Sequence, residues 1–200
     1  MAERVSALAG HYKTGHFGEA GEAGVTLNEI PDPVLHQIAA WPETLQAVGA
    51  KAATAAGAGW APGPGAASAG DKGALLRVEP LKWWIYGVEA PALNPEEGAT
   101  LDLSHARSHL RIAGREARSC LNRLVSLDLR EHSFPVGAVG STALHHVGVT
   151  LWRSADGFEL FVPRGFAVSL WEVLFDTAVQ FGVEVGEPAV ARAQETHLSE

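Results

Sequence analysis

The sequence predicts an α+β fold, and three observations carry that reading. Strand-like and helix-like segments follow one another in the order β-β-α, loop, β-β, then β-β-α-β-β-α. No regular βαβ alternation runs through them, which argues against a doubly wound sheet. With 200 residues and 46% hydrophobic content, the chain can build one compact domain or two small lobes sharing a core.

Taken in order, residues 1–24 are rich in Gly and His and poor in aliphatics, which predicts a flexible N-terminal arm. Residues 25–30 alternate like a short strand, ended by Pro31 and Pro33, and 34–41 form a second strand candidate. Pro42 sits where a helix N1 residue would. The Ala-rich stretch 43–56 has strong helix propensity, with Leu45, Val48 and Ala52 on one face and Gly57 as its stop. Residues 57–73 read as a flexible Gly/Ala/Pro loop. Residues 74–79 and 82–88 read as strands joined by a tight turn at Pro80, the second dense in aromatics.

Residues 90–98 connect to 100–112, which holds two extended pieces. In the second piece Leu110 and Ile112 face one side, His109 and Arg111 the other. A helix is expected over 113–124, marked at its start by Gly114, with Leu121, Leu124 and Cys120 on or near its apolar stripe. Residues 138–153 read as one long strand bent at Gly140 or Gly148. Asp156-Gly157 is the strongest hairpin signal, answered by a strand over 158–162. A last helix over 166–181 ends at Gly182. The expected organisation is an arm over 1–24, a domain over 25–186 with lobes of about 25–98 and 99–186, and a polar tail over 187–200.

Composition narrows function. A net charge of −8, without a Lys/Arg block, excludes the basic face that nucleic-acid binding needs. One cysteine, Cys120, cannot form an intrachain disulfide and fits a reducing compartment. The N-terminus lacks a secretory h-region, and no stretch approaches the ~20 apolar residues of a membrane helix. A cytoplasmic protein, with no membrane and no nucleic-acid partner, is the expectation.

Candidate chemistry is sparse. The 57–73 loop lacks both phosphate-binding patterns: Gly65 is followed by Gly70-Asp71 rather than Gly-Lys, and Gly63-Pro64-Gly65 meets Ser68 where a third Gly belongs. On a regular strand His145 and His146 point to opposite faces and cannot chelate one metal together. His105 and His109 could share a face, but no carboxylate or Cys cluster accompanies them. Cys120 reads as a buried structural thiol. Ser141-Thr142 lacks a nucleophile elbow, and Ser104-His105 has no identifiable triad partner. No catalytic, cofactor-binding or metal residues are assigned. Interfaces favour tryptophan, so of the adjacent pair Trp83 and Trp84 the outward-facing one is a candidate partner contact. Leu8, Tyr12 and Phe17 are further candidates, spaced to lay an extended arm in a partner's groove.

Several motifs together carry a resemblance. Asp102-Leu103-Ser104-His105, followed by Leu110-Arg111-Ile112-Ala113-Gly114, resembles a signature shared by sarcosine oxidase gamma subunits and folate-dependent aminomethyltransferases. Leu127-Asp128-Leu129 with Phe134-Pro135-Val136-Gly137, the strand 146–153, and Phe161-Val162-Pro163-Arg164-Gly165-Phe166 before Ser169-Leu170-Trp171 are similar to the gamma subunits in particular. Residues 79–84 match the family's corresponding strand turn imperfectly. The likeness spans about residues 75–181.

The resemblance implies a fold like the folate-binding domain of aminomethyltransferases, with mixed sheets and packed helices. It implies a heterotetramer with alpha, beta and delta subunits that oxidatively demethylates sarcosine to glycine. The one-carbon unit would pass to tetrahydrofolate or leave as formaldehyde. FAD, FMN, NAD and zinc would lie in the other chains, and this chain would be a non-catalytic subunit of an oxidoreductase. A related N-methyl amino acid such as N-methylglutamate is an alternative substrate, and a folate-dependent transferase a further alternative. Aminomethyltransferases carry acidic residues on the strand after the matching helix. Residues 143–152 here have none, so the general acid/base that folate chemistry would use is expected to be missing.

Overall fold

A computed structural model describes residues 5–188 of the chain. The described residues form two compact units. One comprises residues 5–32 and 105–188, the other residues 33–104.

In the first unit, β1 (Gly15–Phe17), β2 (Val25–Ile30), β8 (Arg107–Ala113), β9 (Val139–Leu144), β10 (Val147–Arg153), β11 (Phe158–Pro163) and β12 (Val183–Val185) make one sheet. Their order is β1-β12-β2-β8-β11-β10-β9. The β2–β12 pair is parallel and the others antiparallel. Alternation on these strands sends Leu110, Ile112, Leu160 and Val162 to one face, where they share a core with α2 (Ala117–Leu121) and α3 (Ala167–Val179). From α3, Leu170, Trp171, Leu174 and Ala178 supply the buried stripe.

The second unit holds β3 (Leu35–Ala40), β4 (Ala67–Ala69), β5 (Ala74–Glu79), β6 (Lys82–Tyr86) and β7 (Gly98–Asp102), in the order β4-β5-β6-β3-β7. Helix α1 (Leu45–Ala56) packs Val48, Ala52, Ala53 and Ala56 on Ile38, Leu75, Trp83 and Ile85. Gly49 costs helix propensity of about 1 kcal/mol relative to Ala. It also leaves room for an indole, since a Cβ there would lie 3.2 Å from Trp83 Cζ2 and 3.0 Å from Ala61 Cβ. The helix ends in a Schellman turn: Gly57 is left-handed (φ +68), and the Ala58 N–H donates to the Ala53 carbonyl at 2.8 Å.

Several expectations need correction. The lobe boundary falls at residues 32/33 and 104/105, because β2 pairs with β8 and β7 with β3. Residues 5–24 are no loose arm: Leu8 is fully buried in the first core, and β1 pairs with β12. The 57–73 loop is pinned, with β4 paired to β5 and the Lys72 and Gly73 amides donating to the Ala56 carbonyl. The helix expected over 113–124 shrinks to five residues, and Val125 then bridges to Leu144. Residues 138–153 are two strands of a hairpin, not one bent strand. The short strand β12 was not anticipated. Of the expected C-terminal tail, residues 189–200 lie outside the described residues.

Candidate functional site

The hairpin changes the histidine argument. Val147 pairs with Leu144, leaving His145 and His146 as a two-residue turn with φ of +45 and +73. Two positive φ values define a type I′ turn, a geometry that usually recruits Asn-Gly. The rings lie 5.5 Å apart, both exposed, so the opposite-face argument against shared chelation does not apply to them. Among the described residues no group of three or more His, Cys, Asp or Glu side chains is placed to hold a metal ion. His105 is exposed and His109 fully buried, so those two are not brought together.

The residues expected at a partner surface sit mostly inside. Tyr12 packs on Trp171 in a tilted arrangement with ring centroids 4.9 Å apart, and its hydroxyl donates to the Gly186 carbonyl at 2.6 Å. The Glu29 amide donates to the same hydroxyl. Phe17 meets Phe175 edge-on at 5.1 Å. Trp83 and Trp84 lie on opposite faces of β6, yet they are only 1% and 6% exposed, so neither is an outward-facing side chain. The tryptophans with open surface are Trp60 and Trp41, at 66% and 46%. Trp41 stands at the end of the expected 34–41 strand, next to Pro42, and Trp60 in the Gly-rich loop, where no periodicity gives an orientation. Cys120 is buried as expected, and burial pushes its thiol up to about 11.

The feature that sequence reading missed lies on the sheet face opposite α3. Arg111 pairs with Glu159 and His109 with Phe161 across β8 and β11. Glu159 and His109 are both fully buried, with Glu159 Oε2 2.7 Å from His109 Nε2. Glu159 Oε1 accepts from Arg111 Nε at 2.7 Å and from the Ser154 hydroxyl at 2.7 Å. Burial alone would raise the Glu159 carboxyl, but the His109 hydrogen bond and charge, the Arg111 charge and Ser154 together hold it below the usual range. His109 also stacks on Phe161 at 4.5 Å. Glu159 follows Phe158 in an apolar strand, and only cross-strand register brings it to the two basic residues. Residues 143–152 carry no acidic side chain, and Glu159 lies on the following strand, β11.

A second polar group surrounds Glu29, which accepts from the Ser6 hydroxyl. Burial, with the nearby Asp32 charge, raises its carboxyl, against opposing contributions from Ser6 and Arg164. Asp128 is the opposite case. The hydrogen bonds from Arg130 and Ser133 hold its carboxyl well below the usual range and fix the 128–133 turn.

Comparison with known proteins decides the family. The sarcosine oxidase gamma subunit family model matches residues 92–180. The sarcosine oxidase subunit gamma of Corynebacterium sp. (strain U-96) is 31% identical over 153 residues, covering 72% of this chain and 74% of that one. The chain belongs to the sarcosine oxidase gamma subunit family. The gamma subunit of an Arthrobacter species is 32% identical over 92 residues, 46% of this chain and 45% of that protein. In three dimensions this gamma-family chain is similar to a chain of the heterotetrameric sarcosine oxidase from Corynebacterium sp. U-96, solved in complex with pyrrole 2-carboxylate. The TM-score is 0.74 at 27% identity, over 89% of this chain and 96% of the other. The glycine cleavage system aminomethyltransferase T of Bartonella henselae shares the fold, with a TM-score of 0.52 at 18% identity over 84% of this chain and 48% of that one. The α+β, aminomethyltransferase-like reading of the sequence therefore holds. Among the described residues no helix is long and apolar enough to cross a membrane.

Proposed function

We propose that this chain is a non-catalytic gamma subunit of a heterotetrameric, sarcosine oxidase-type complex with alpha, beta and delta partners in the cytoplasm. One observation carries the proposal: the chain matches 96% of a chain of such a heterotetramer at a TM-score of 0.74. The reaction assigned to the complex is oxidative demethylation of sarcosine to glycine, with the one-carbon unit passed to tetrahydrofolate or released as formaldehyde. FAD, FMN, NAD and zinc are assigned to the partner chains and none to this one.

The Glu159 cluster supports a structural role for this chain. Both oxygens of its carboxylate are engaged, by His109, Arg111 and Ser154. A general acid or base needs a lone pair or proton within reach of substrate. A buried carboxylate committed to three partners stabilises the sheet instead. That also weighs against a folate-dependent transferase acting through this chain, since fold likeness alone carries no activity.

The test is purification of the tagged chain at native level, with its companions identified by mass spectrometry. The expected result is a flavin-containing assembly of four different chains that consumes sarcosine. Assaying N-methylglutamate beside sarcosine identifies the substrate. Recovery of the chain alone, from cells whose sarcosine oxidation survives its deletion, would overturn the proposal. A flavin absorption spectrum in the singly expressed chain would overturn the assignment of flavin to the partners.

A further inference from the structure

We infer that the first unit carries an oxyanion-binding pocket between the β8–α2 turn and the β10–β11 loop. Arg115, Arg118 and Arg153 line this concavity of about 340 Å³, with Ser119 and a single acidic residue, Asp156. The volume lies near the lower end of small-molecule pockets, about 300–1,000 Å³. The chain as a whole carries a net charge of −8, so three guanidiniums on one small cavity stand against its general character.

The charges there are unevenly answered. Arg115 has Glu22 at 3.5 Å and Arg118 has Glu131 at 3.1 Å, both exposed pairs. Such pairs contribute little and exchange readily with solvent or another anion. Asp156 is 3.5 Å from Arg111, which also holds Glu159, so its charge is shared away from the cavity. Arg153 is different. Its guanidinium lies over the Phe158 ring at 4.5 Å, and its Nε is buried without a hydrogen-bond partner. The Nε of Arg118 is likewise buried without a partner. With Nε buried, the Nη–H groups are what each of these guanidiniums can offer the cavity, and charge-assisted N–H donors of this kind receive the oxygens of a carboxylate or phosphate. The ring beneath Arg153 fixes its plane, which preorganises those donors.

The ligand class is therefore a small oxyanion, phosphoryl or carboxyl, held by Arg153 and Arg118. Arg111 stands between this site and the buried Glu159 cluster, paired with Asp156 of the one and Glu159 of the other. The test is calorimetric titration of the full chain with inorganic phosphate, with acetate and with chloride, at matched ionic strength. The expected result is saturable binding of phosphate or acetate that chloride does not reproduce. Which of the two binds more tightly identifies the ligand as phosphoryl or carboxyl. Arg153→Gln and Arg118→Gln should each weaken it tenfold or more, and Arg153→Lys should recover only part of the loss. If Arg153→Gln fails to fold by circular dichroism, Arg118→Gln decides alone. Absence of saturable binding beyond chloride, or unchanged affinity in the folded glutamine variants, overturns the inference.

Discussion

Glu159 Oε2 lies 2.7 Å from His109 Nε2 with both side chains fully buried, on the paired strands β8 and β11 in the middle of the seven-stranded sheet. Breaking such a pair from one side leaves the other partner buried and unanswered. Glu159→Ala should therefore lower unfolding free energy by about 3–5 kcal/mol. The folded carboxyl titrates below its ordinary value of 4.5. Its contribution is thus present above pH 4.5 and is lost as pH falls through the lower folded value. Urea titrations of wild type and variant should show a gap that is wide at pH 7 and narrows below pH 4. A gap independent of pH would remove the carboxylate's charge from the explanation.

Glu29 predicts the reverse slope. Its folded carboxyl titrates above 4.5, chiefly because it is buried. Ionised Glu29 then costs stability at neutral pH, and the cost disappears as pH falls from the folded value towards 4.5. Glu29→Gln should match or exceed wild-type stability at pH 7, with any advantage shrinking on acidification. A variant less stable at pH 7 than at pH 4.5, relative to wild type, would contradict this.

The N-terminal segment should behave as part of its own unit. Leu8→Ala removes a fully buried side chain and should cost about 2 kcal/mol or more. Limited proteolysis should cut residues 5–24 at the same slow rate in the isolated chain and in any assembly. Faster cutting in the free chain would restore the partner-ordered arm that the Gly-rich sequence suggests.

How much was legible in the sequence follows from the range of the interactions involved. Val25–Ile30 and Ala74–Glu79 were expected at their observed bounds, the first from alternation ended by Pro31, the second from its flanking Gly73 and Pro80. Helix α1 was readable from Ala-rich propensity and Gly57. The packed N-terminus was not, because Tyr12 and Phe17 meet Trp171, Phe175 and Gly186, more than 150 residues away, and Leu8 joins the same core. The Glu159 cluster was hidden for the same reason, since its members join only through β8–β11 register. The family motifs placed the chain where local reading stopped at a binding module of unknown kind.

The tryptophan pair should report on stability rather than docking. Trp83 fills the space beneath α1 beside Gly49, and Trp84 is buried on the other face of β6. Trp83→Ala and Trp84→Ala should each destabilise the isolated chain by about 3–5 kcal/mol. Trp60→Ala, at a 66% exposed position, should change its stability by about 0.5 kcal/mol or less. Thermal denaturation of the three variants checks the order. A near-neutral Trp84→Ala would mean that its burial contributes little to the fold.

The His145–His146 turn gives the last prediction. Both residues hold positive φ, which costs an L-residue with a Cβ roughly 1–2 kcal/mol in the left-handed region. Asn tolerates that region and Gly adopts it without penalty, so the double substitution His145→Asn with His146→Gly should relieve strain. The register of β9 and β10 would be unchanged, since Leu144 and Val147 still pair across a two-residue loop. Glycine also widens the unfolded ensemble, which offsets part of the gain. The net effect should be a stabilisation of about 1 kcal/mol, read as a melting temperature higher by about 2–4 °C for a chain of this size. Both histidine rings are exposed, so their loss removes little packing. A lower melting temperature would show that the rings make contacts worth more than the strain they carry.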